Sequence, residues 1–206
     1  VNCHNNTWGK DVIDKALDYA NHEWYPTDKN VLHGLDSNNI LVDTPDITWR
    51  GKELDCGWWE VNKINIGIPY SWGNASTIDE FNKGIFEGKY AGNVPEDKSR
   101  HGSTDCIGVD CSGLLTNCWA LTKKISTRDI PKVAKKIEKI IEIRQGDIFA
   151  KIGSHVMLFV EFSDNDRNSI IIIDSTRSIG KVSKRELRVD ELINNGYEIY
   201  RKNELN

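Results

Sequence analysis

Two apolar runs, His155-Val-Met-Leu-Phe-Val-Glu-Phe162 and Ser169-Ile-Ile-Ile-Ile-Asp174, flank the polar segment Ser163-Asp-Asn-Asp-Arg-Asn168. Both runs are too short for an amphipathic helix and are rich in β-branched and aromatic residues. Two strands joined by a short polar loop make an antiparallel hairpin. Asp147 to Lys151 reads as a further strand, and the alternating Tyr197 to Lys202 as a last one. A sheet of this kind must bury at least one face against another layer. That layer is expected from the earlier part of the chain, where the apolar period is helical.

Val12, Ile13, Ala16, Leu17 and Ala20 form one stripe, which predicts a helix within Asp11 to Trp24. Thr77-Ile-Asp-Glu80 is a capping box and starts a helix from about Ile78 to Glu87. Leu114, Leu115, Cys118 and Leu121 share a face of a helix over Cys111 to Leu121. Val133, Ile137, Ile140 and Ile141 give a stripe over Lys132 to Glu142 with lysines outside. Pro26 to Leu54 has no sustained period and reads as an irregular arm, with short strands near Asn39 to Val42 and Ile47 to Trp49. Gly88 to Gly108 reads as a loop. Helices early and hairpin-linked strands late predict an α+β fold with an antiparallel sheet. Residues 1–54 are expected as an N-terminal helical arm packing on a core domain of residues 55–206.

Charge and composition narrow the functional classes. A net charge of −4 over 206 residues argues against a nucleic-acid binder. No apolar run reaches the length of a membrane span, and no signal peptide is visible, although the chain begins at Val1 and an upstream segment can have been removed. Seven Trp against a single Met suggest aromatic packing and, for one or two of them, a ligand-facing groove. The five cysteines (Cys3, Cys56, Cys106, Cys111 and Cys118) contain no CxxC pair, so zinc-ribbon and thioredoxin-type sites are not expected. His101, Cys106 and Cys111 match no common metal spacing, and neither a metal nor a cofactor is expected.

Gly108-Val-Asp-Cys-Ser-Gly113 is the sharpest local feature. A cysteine at a helix start faces unpaired N–H groups and the positive end of the helix dipole, both of which favour thiolate. Asp110 can cap that helix, Gly113 allows a close neighbour, and the Cys111 N–H is available to an oxyanion. A thiolate nucleophile needs a base and a group that orients the base. His155 opens an apolar strand and Asp174 ends the next, so a hairpin can bring them side by side.

In their order along the chain, these pieces resemble the NlpC/P60 family of bacterial cell-wall cysteine peptidases, a branch of the papain-like superfamily. Pro69-Tyr-Ser-Trp-Gly73 resembles the family segment before the nucleophile, and Asp110-Cys-Ser-Gly113 its nucleophile motif. Gln145-Gly-Asp147 resembles the entry to its sheet, Ser154-His-Val156 its histidine strand, and Ile173-Asp-Ser175 its third polar position. The likeness covers roughly Cys56 to Arg177. It departs from the family in the long interval between Gly73 and Asp110, in Asn74 after Gly73, and in Asp174 where the family often has His, Asn or Gln.

The resemblance implies a papain-like fold in which the cysteine helix packs on the antiparallel sheet. It implies Cys111 as nucleophile, His155 as base and Asp174 as its orienting group. Tyr70, Trp72, Ser112, Ser154 and Arg177 are implied in substrate binding, Arg177 as a cation for a carboxylate-rich ligand. The implied substrate is a peptidoglycan peptide fragment, cut between D-glutamate and a diamino acid, and the implied location is extracellular or the cell envelope. The alternatives are a non-catalytic wall- or partner-binding module on the same fold, or an amide or acyl transferase. Cys106 can act as a redox partner of Cys111 or pair with Cys56. In an exported protein the Cys56–Cys106 disulfide is expected. The arm and the segment 74–109 are expected to narrow the groove toward small soluble fragments.

Overall fold

The computed structural model describes residues 7–51, 57–96 and 101–203. The first half contains helix α1 (Thr7–Asn21), strands β1 (Glu23–Trp24), β2 (His33–Leu35), β3 (Leu41–Asp43) and β4 (Asn65–Ile66), helix α2 (Ile78–Glu87), strands β5 (Tyr90–Ala91) and β6 (Cys106–Ile107), and helix α3 (Cys111–Cys118). The second half contains α4 (Ile130–Val133), β7 (Ala134–Ile137), β8 (Ile148–Lys151), β9 (His155–Phe162), β10 (Ser169–Thr176), β11 (Lys181–Arg188), α5 (Val189–Asn194) and β12 (Glu198–Lys202). The main sheet has six strands in the order β11-β10-β9-β8-β12-β7, with every neighbouring pair antiparallel. The fold is therefore α+β with an antiparallel sheet.

The sheet is covered on both faces, which accounts for the unbroken Ile170 to Ile173 run. On one face Val156, Leu158, Ile173 and Val182 pack in a cluster with Val12, Ile13 and Ala16 of α1 and Leu114 and Leu115 of α3. On the other, Met157, Phe159, Ile170 and Ile172 pack with Val189 and Leu192 of α5. A leucine such as Leu114 or Leu115, about 1% exposed, sits where truncation to alanine typically costs about 2–5 kcal/mol. Helix α1 touches α3, β10 and β11, so the start of the arm shares the central core.

Several elements follow the sequence expectation. Helix α2 has the expected bounds: Thr77 accepts from the Glu80 N–H, the Glu80 carboxylate accepts from the Thr77 N–H, and Gly88 ends it in the left-handed region at φ 82°. The hairpin β9–β10 forms, with Asp164 Oδ1 accepting from the Asn168 N–H at 2.8 Å in its turn.

Others differ. Helix α1 stops at Asn21, and Trp24 belongs to β1, paired with Asn65. Strand β3 lies near the expected Asn39 to Val42, but Ile47 to Trp49 is a turn closed by Trp49 N–H to the Asp46 carbonyl at 2.9 Å. The loop expected over Gly88 to Gly108 carries the short parallel pair β5–β6.

The helix expected over Lys132 to Glu142 is absent. That stretch is the single turn α4, the strand β7 and a 3-10 turn over Ile140–Glu142. Its stripe is branched at Cβ throughout, which suits a pleated surface better than a helix. Pairing with β12, Ile137 against Ile199, satisfies the backbone instead. Ile137 still reaches the core, whereas Ile141 is 67% exposed. Strand β11 and helix α5 form where no element was expected.

Among the described residues no helix is long and apolar enough to cross a membrane.

Candidate active site

The start of α3 is built around one buried carboxylate. Asp110 has extended backbone and caps the helix, with Oδ1 accepting from the Gly113 N–H at 2.7 Å and from the Ser112 hydroxyl at 3.1 Å. Its Oδ2 accepts from the Gly73 N–H at 2.9 Å and from Lys124 Nζ at 3.2 Å. Its own N–H donates to the Asn74 carbonyl at 3.0 Å. Gly113 lies against that same stretch of backbone, where a Cβ would stand 2.2 Å from the Asn74 oxygen. Cys111, the first residue of the helix, is half-buried beside this junction.

The other half of the site comes from the sheet. The ladder between β9 and β10 runs from Ile170–Phe162 to Ile173–Leu158 and has an irregularity between Ile171 and Ile172. Beyond it lie His155 and Asp174. His155 Nε2 and Asp174 Oδ2 are 2.7 Å apart, and the Asp174 side chain is fully buried. The next residue, Ser175, donates its hydroxyl to the Val109 carbonyl at 2.7 Å, fastening β10 to the segment that leads into Cys111.

The Cys111 thiol lies near enough to the His155 ring for its hydrogen-bonding capacity and charge to act on the imidazole. Burial pushes the His155 pKa down, but the hydrogen bonds to Asp174 and Cys111 and their charges outweigh it, raising the value from 6.5 to about 9.

Two residues that the sequence reading did not single out complete the surroundings. Arg185 on β11 reaches Asp174 with Nε to Oδ1 at 3.1 Å and Nη2 to Oδ2 at 2.6 Å. Tyr197, just before β12, meets the His155 ring edge-on with centroids 6.5 Å apart. Burial raises the Tyr197 pKa, the charges of Asp174 and Cys111 raise it further, and Arg185 opposes them. Thiol, imidazole, carboxylate and guanidinium thus form a row of alternating charge once the proton has moved from sulfur to the ring. That arrangement can deliver a thiolate to a carbonyl carbon and a proton to a leaving amine.

The residues implied in substrate binding are placed differently from one another. Tyr70 is buried in a cluster with Trp49 and Val94, and its backbone bridges to Val109, two residues before Cys111. Trp72 is half-buried and lines an open pocket of about 280 Å³ together with Leu35, Ile40, Leu41, Asn93, Pro95 and His101. The Ser112 hydroxyl is turned inward to Asp110 and belongs to the helix cap. Ser154 is exposed in the β8–β9 turn, with its N–H on the Lys151 carbonyl. Arg177 donates through Nη2 to the Pro95 carbonyl, tying down the loop beside the Trp72 pocket. The cation on the Asp174 carboxylate is Arg185.

Cys106 and Cys118 are buried free thiols, and burial pushes the pKa of each up to about 12. The expected Cys56–Cys106 bond is not formed at Cys106, and Cys56 itself lies outside the described residues, as does Cys3. Among the described residues no group of three or more His, Cys, Asp or Glu side chains is arranged to hold a metal ion.

Asp147 of the Gln-Gly-Asp segment serves the sheet rather than the site. Its carboxylate receives Arg201 Nε at 2.9 Å and Nη2 at 2.8 Å, which pins β12 to the start of β8.

Comparisons of the chain with protein-family models, with curated proteins and with solved structures gave no significant match.

Proposed function

We propose that this chain is a cysteine peptidase or amidase of NlpC/P60 type, with α3 against the antiparallel sheet as its papain-like core. The observation that carries this reading is the His155–Asp174 pair at 2.7 Å, set beside Cys111 at the start of α3. Cys111 attacks an amide carbonyl, and the imidazolium of His155 protonates the departing amine. Water, deprotonated by the then neutral imidazole, releases the acyl group. The oxyanion is received at the start of α3, where the Cys111 N–H points out of the helix.

The substrate proposed is a peptidoglycan stem peptide cut at a D-glutamyl-diamino acid bond, and the location proposed with it is the cell envelope or outside the cell. A short fragment is favoured over intact wall. The arm supports this: the Asp43 N–H donates to Asn93 Oδ1 at 2.9 Å, and Asn93 in turn bonds the backbone of Tyr70 and Trp72. Residues of the arm therefore stand beside the segment that leads to the nucleophile, and Leu35 and Leu41 help wall the Trp72 pocket. Helix α1, by contrast, braces the sheet.

Purified stem tripeptides and tetrapeptides, offered alongside whole sacculi, test the reading. Cleavage of the peptides that is lost in Cys111→Ala and His155→Ala is expected. Acyl transfer to an added amine in place of hydrolysis would favour the transferase. Binding of fragments with no turnover in the unaltered protein would favour the non-catalytic module.

A further inference from the structure

The buried carboxylate of Asp174 has two cationic partners, not one. Its Oδ2 receives both His155 Nε2 at 2.7 Å and Arg185 Nη2 at 2.6 Å, while Oδ1 takes Arg185 Nε at 3.1 Å. Sheet register makes this possible. Ile172 pairs with Arg185 and Asp174 with Ser183, so Arg185 lies diagonally across from Asp174 on the same face. The Asp174 side chain is fully buried, and that of Arg185 is 28% exposed. From this geometry we infer that Arg185 is a positioning residue of the site, acting on His155 through the carboxylate that they share. The inference rests on the reading of Cys111 and His155 as a working pair.

A guanidinium fork fixes a carboxylate in one plane, because two parallel N–H groups meet its two oxygens. With Arg185 in place, Asp174 cannot turn away from the ring. The same cation also withdraws part of the carboxylate's negative potential from His155. The residue therefore has two effects on the imidazole: it holds the acceptor of Nε2 in place and limits how firmly the ring keeps its proton. Limiting that grip matters for a base that must later release the proton to a leaving amine.

Among the described residues, the groups that face His155 are few. Cys111 approaches from α3, Asp174 from β10, with Arg185 of β11 behind it. Tyr197 approaches from the turn before β12. Lys151, the partner of His155 on β8, is exposed and runs alongside Gly196. Lys124 is bound to Asp110 below the start of α3.

The test is an NMR titration of the five histidines, with His155 assigned from its loss in His155→Asn. It is run on the unaltered chain and on Arg185→Met, Arg185→Gln and Arg185→Lys. Both neutral variants should raise the His155 pKa by about half a unit or more, since the carboxylate's full charge then falls on the ring. Arg185→Lys, which keeps the cation, should return it to within about 0.3 units of the original. With two neutral variants of different polarity, one that fails to fold leaves the other to be read. An unchanged or lowered His155 pKa in a folded neutral variant overturns the inference, as does a lysine variant that behaves like the neutral ones. The titration needs no substrate. A chain without peptidase activity but with the expected shifts would sink the functional reading and leave Arg185's role standing.

Discussion

Gly73 donates its backbone N–H to Asp110 Oδ2 at 2.9 Å, while Oδ1 of the same carboxylate caps α3 through the Gly113 N–H at 2.7 Å. One side chain thus joins the Pro69–Gly73 segment to the helix that begins with Cys111. Asp110→Ala removes the cap and frees the Gly73 amide. A loss of about 2 kcal/mol is expected in urea denaturation, against under about 1 kcal/mol for Asp110→Asn, which can still accept. An alanine variant with an unshifted midpoint would show that the cap holds nothing.

Cys111 should be the thiol that iodoacetamide modifies first at pH 7. Cys106 and Cys118 are buried, with pKa values pushed up to about 12, whereas Cys111 is half-buried beside an imidazolium. Peptide mapping after brief labelling measures this. Equal labelling of Cys106 or Cys118 in the folded protein would remove the case for an activated sulfur.

The pH dependence has a definite sign. The folded-state pKa of His155 lies above its unfolded value of 6.5, at about 9. The stability that its protonated form contributes is therefore complete below pH 6.5 and lost as the pH rises through 9. Turnover that needs the imidazolium should fall over the upper part of the same window. Urea midpoints between pH 6 and 10 should decline less steeply in His155→Gln than in the unaltered chain. Parallel declines would assign the slope to other groups.

Arg201 and Asp147 form a second buried pair, away from the thiol. The Asp147 side chain is fully buried, and Arg201 also donates to the Glu142 carbonyl at 2.7 Å. Arg201→Met leaves a carboxylate without its partner, for which about 3–5 kcal/mol is expected. Labelling of Cys111 without denaturant should be unaffected while the variant remains folded. A large drop in that labelling would mean that β12 contributes to the site as well as to the sheet.

Much of the architecture was legible where chemistry is local. The capping box Thr77 to Glu80 delimited α2, and the polar loop Ser163 to Asn168 delimited the β9–β10 hairpin. The meeting of His155 with Asp174 followed from hairpin geometry, although β10 runs two residues past Asp174 to Thr176. Elements decided by tertiary pairing were hidden. Val133, Ile137, Ile140 and Ile141 satisfy a helical period, yet β12 draws this stretch into the sheet. Lys181 to Arg188 is so rich in charge that its strand character is masked, and Arg185 within it looks like any solvated arginine until the register with Ile172 places it near Asp174. The family resemblance implies Ser112 in substrate binding, but at this helix start its hydroxyl turns inward to the cap.

The absence of a single methyl group at Gly113 has a consequence for how this protein can vary. With a Cβ 2.2 Å from the Asn74 oxygen, every other residue at that position would push two stretches of chain apart. The thiol and the Tyr70–Gly73 wall are thus kept in step by a contact that only hydrogen can occupy, and neither can drift alone. Sequence change in one must be answered in the other, so the freedom to vary lies in the arm, which this contact does not constrain.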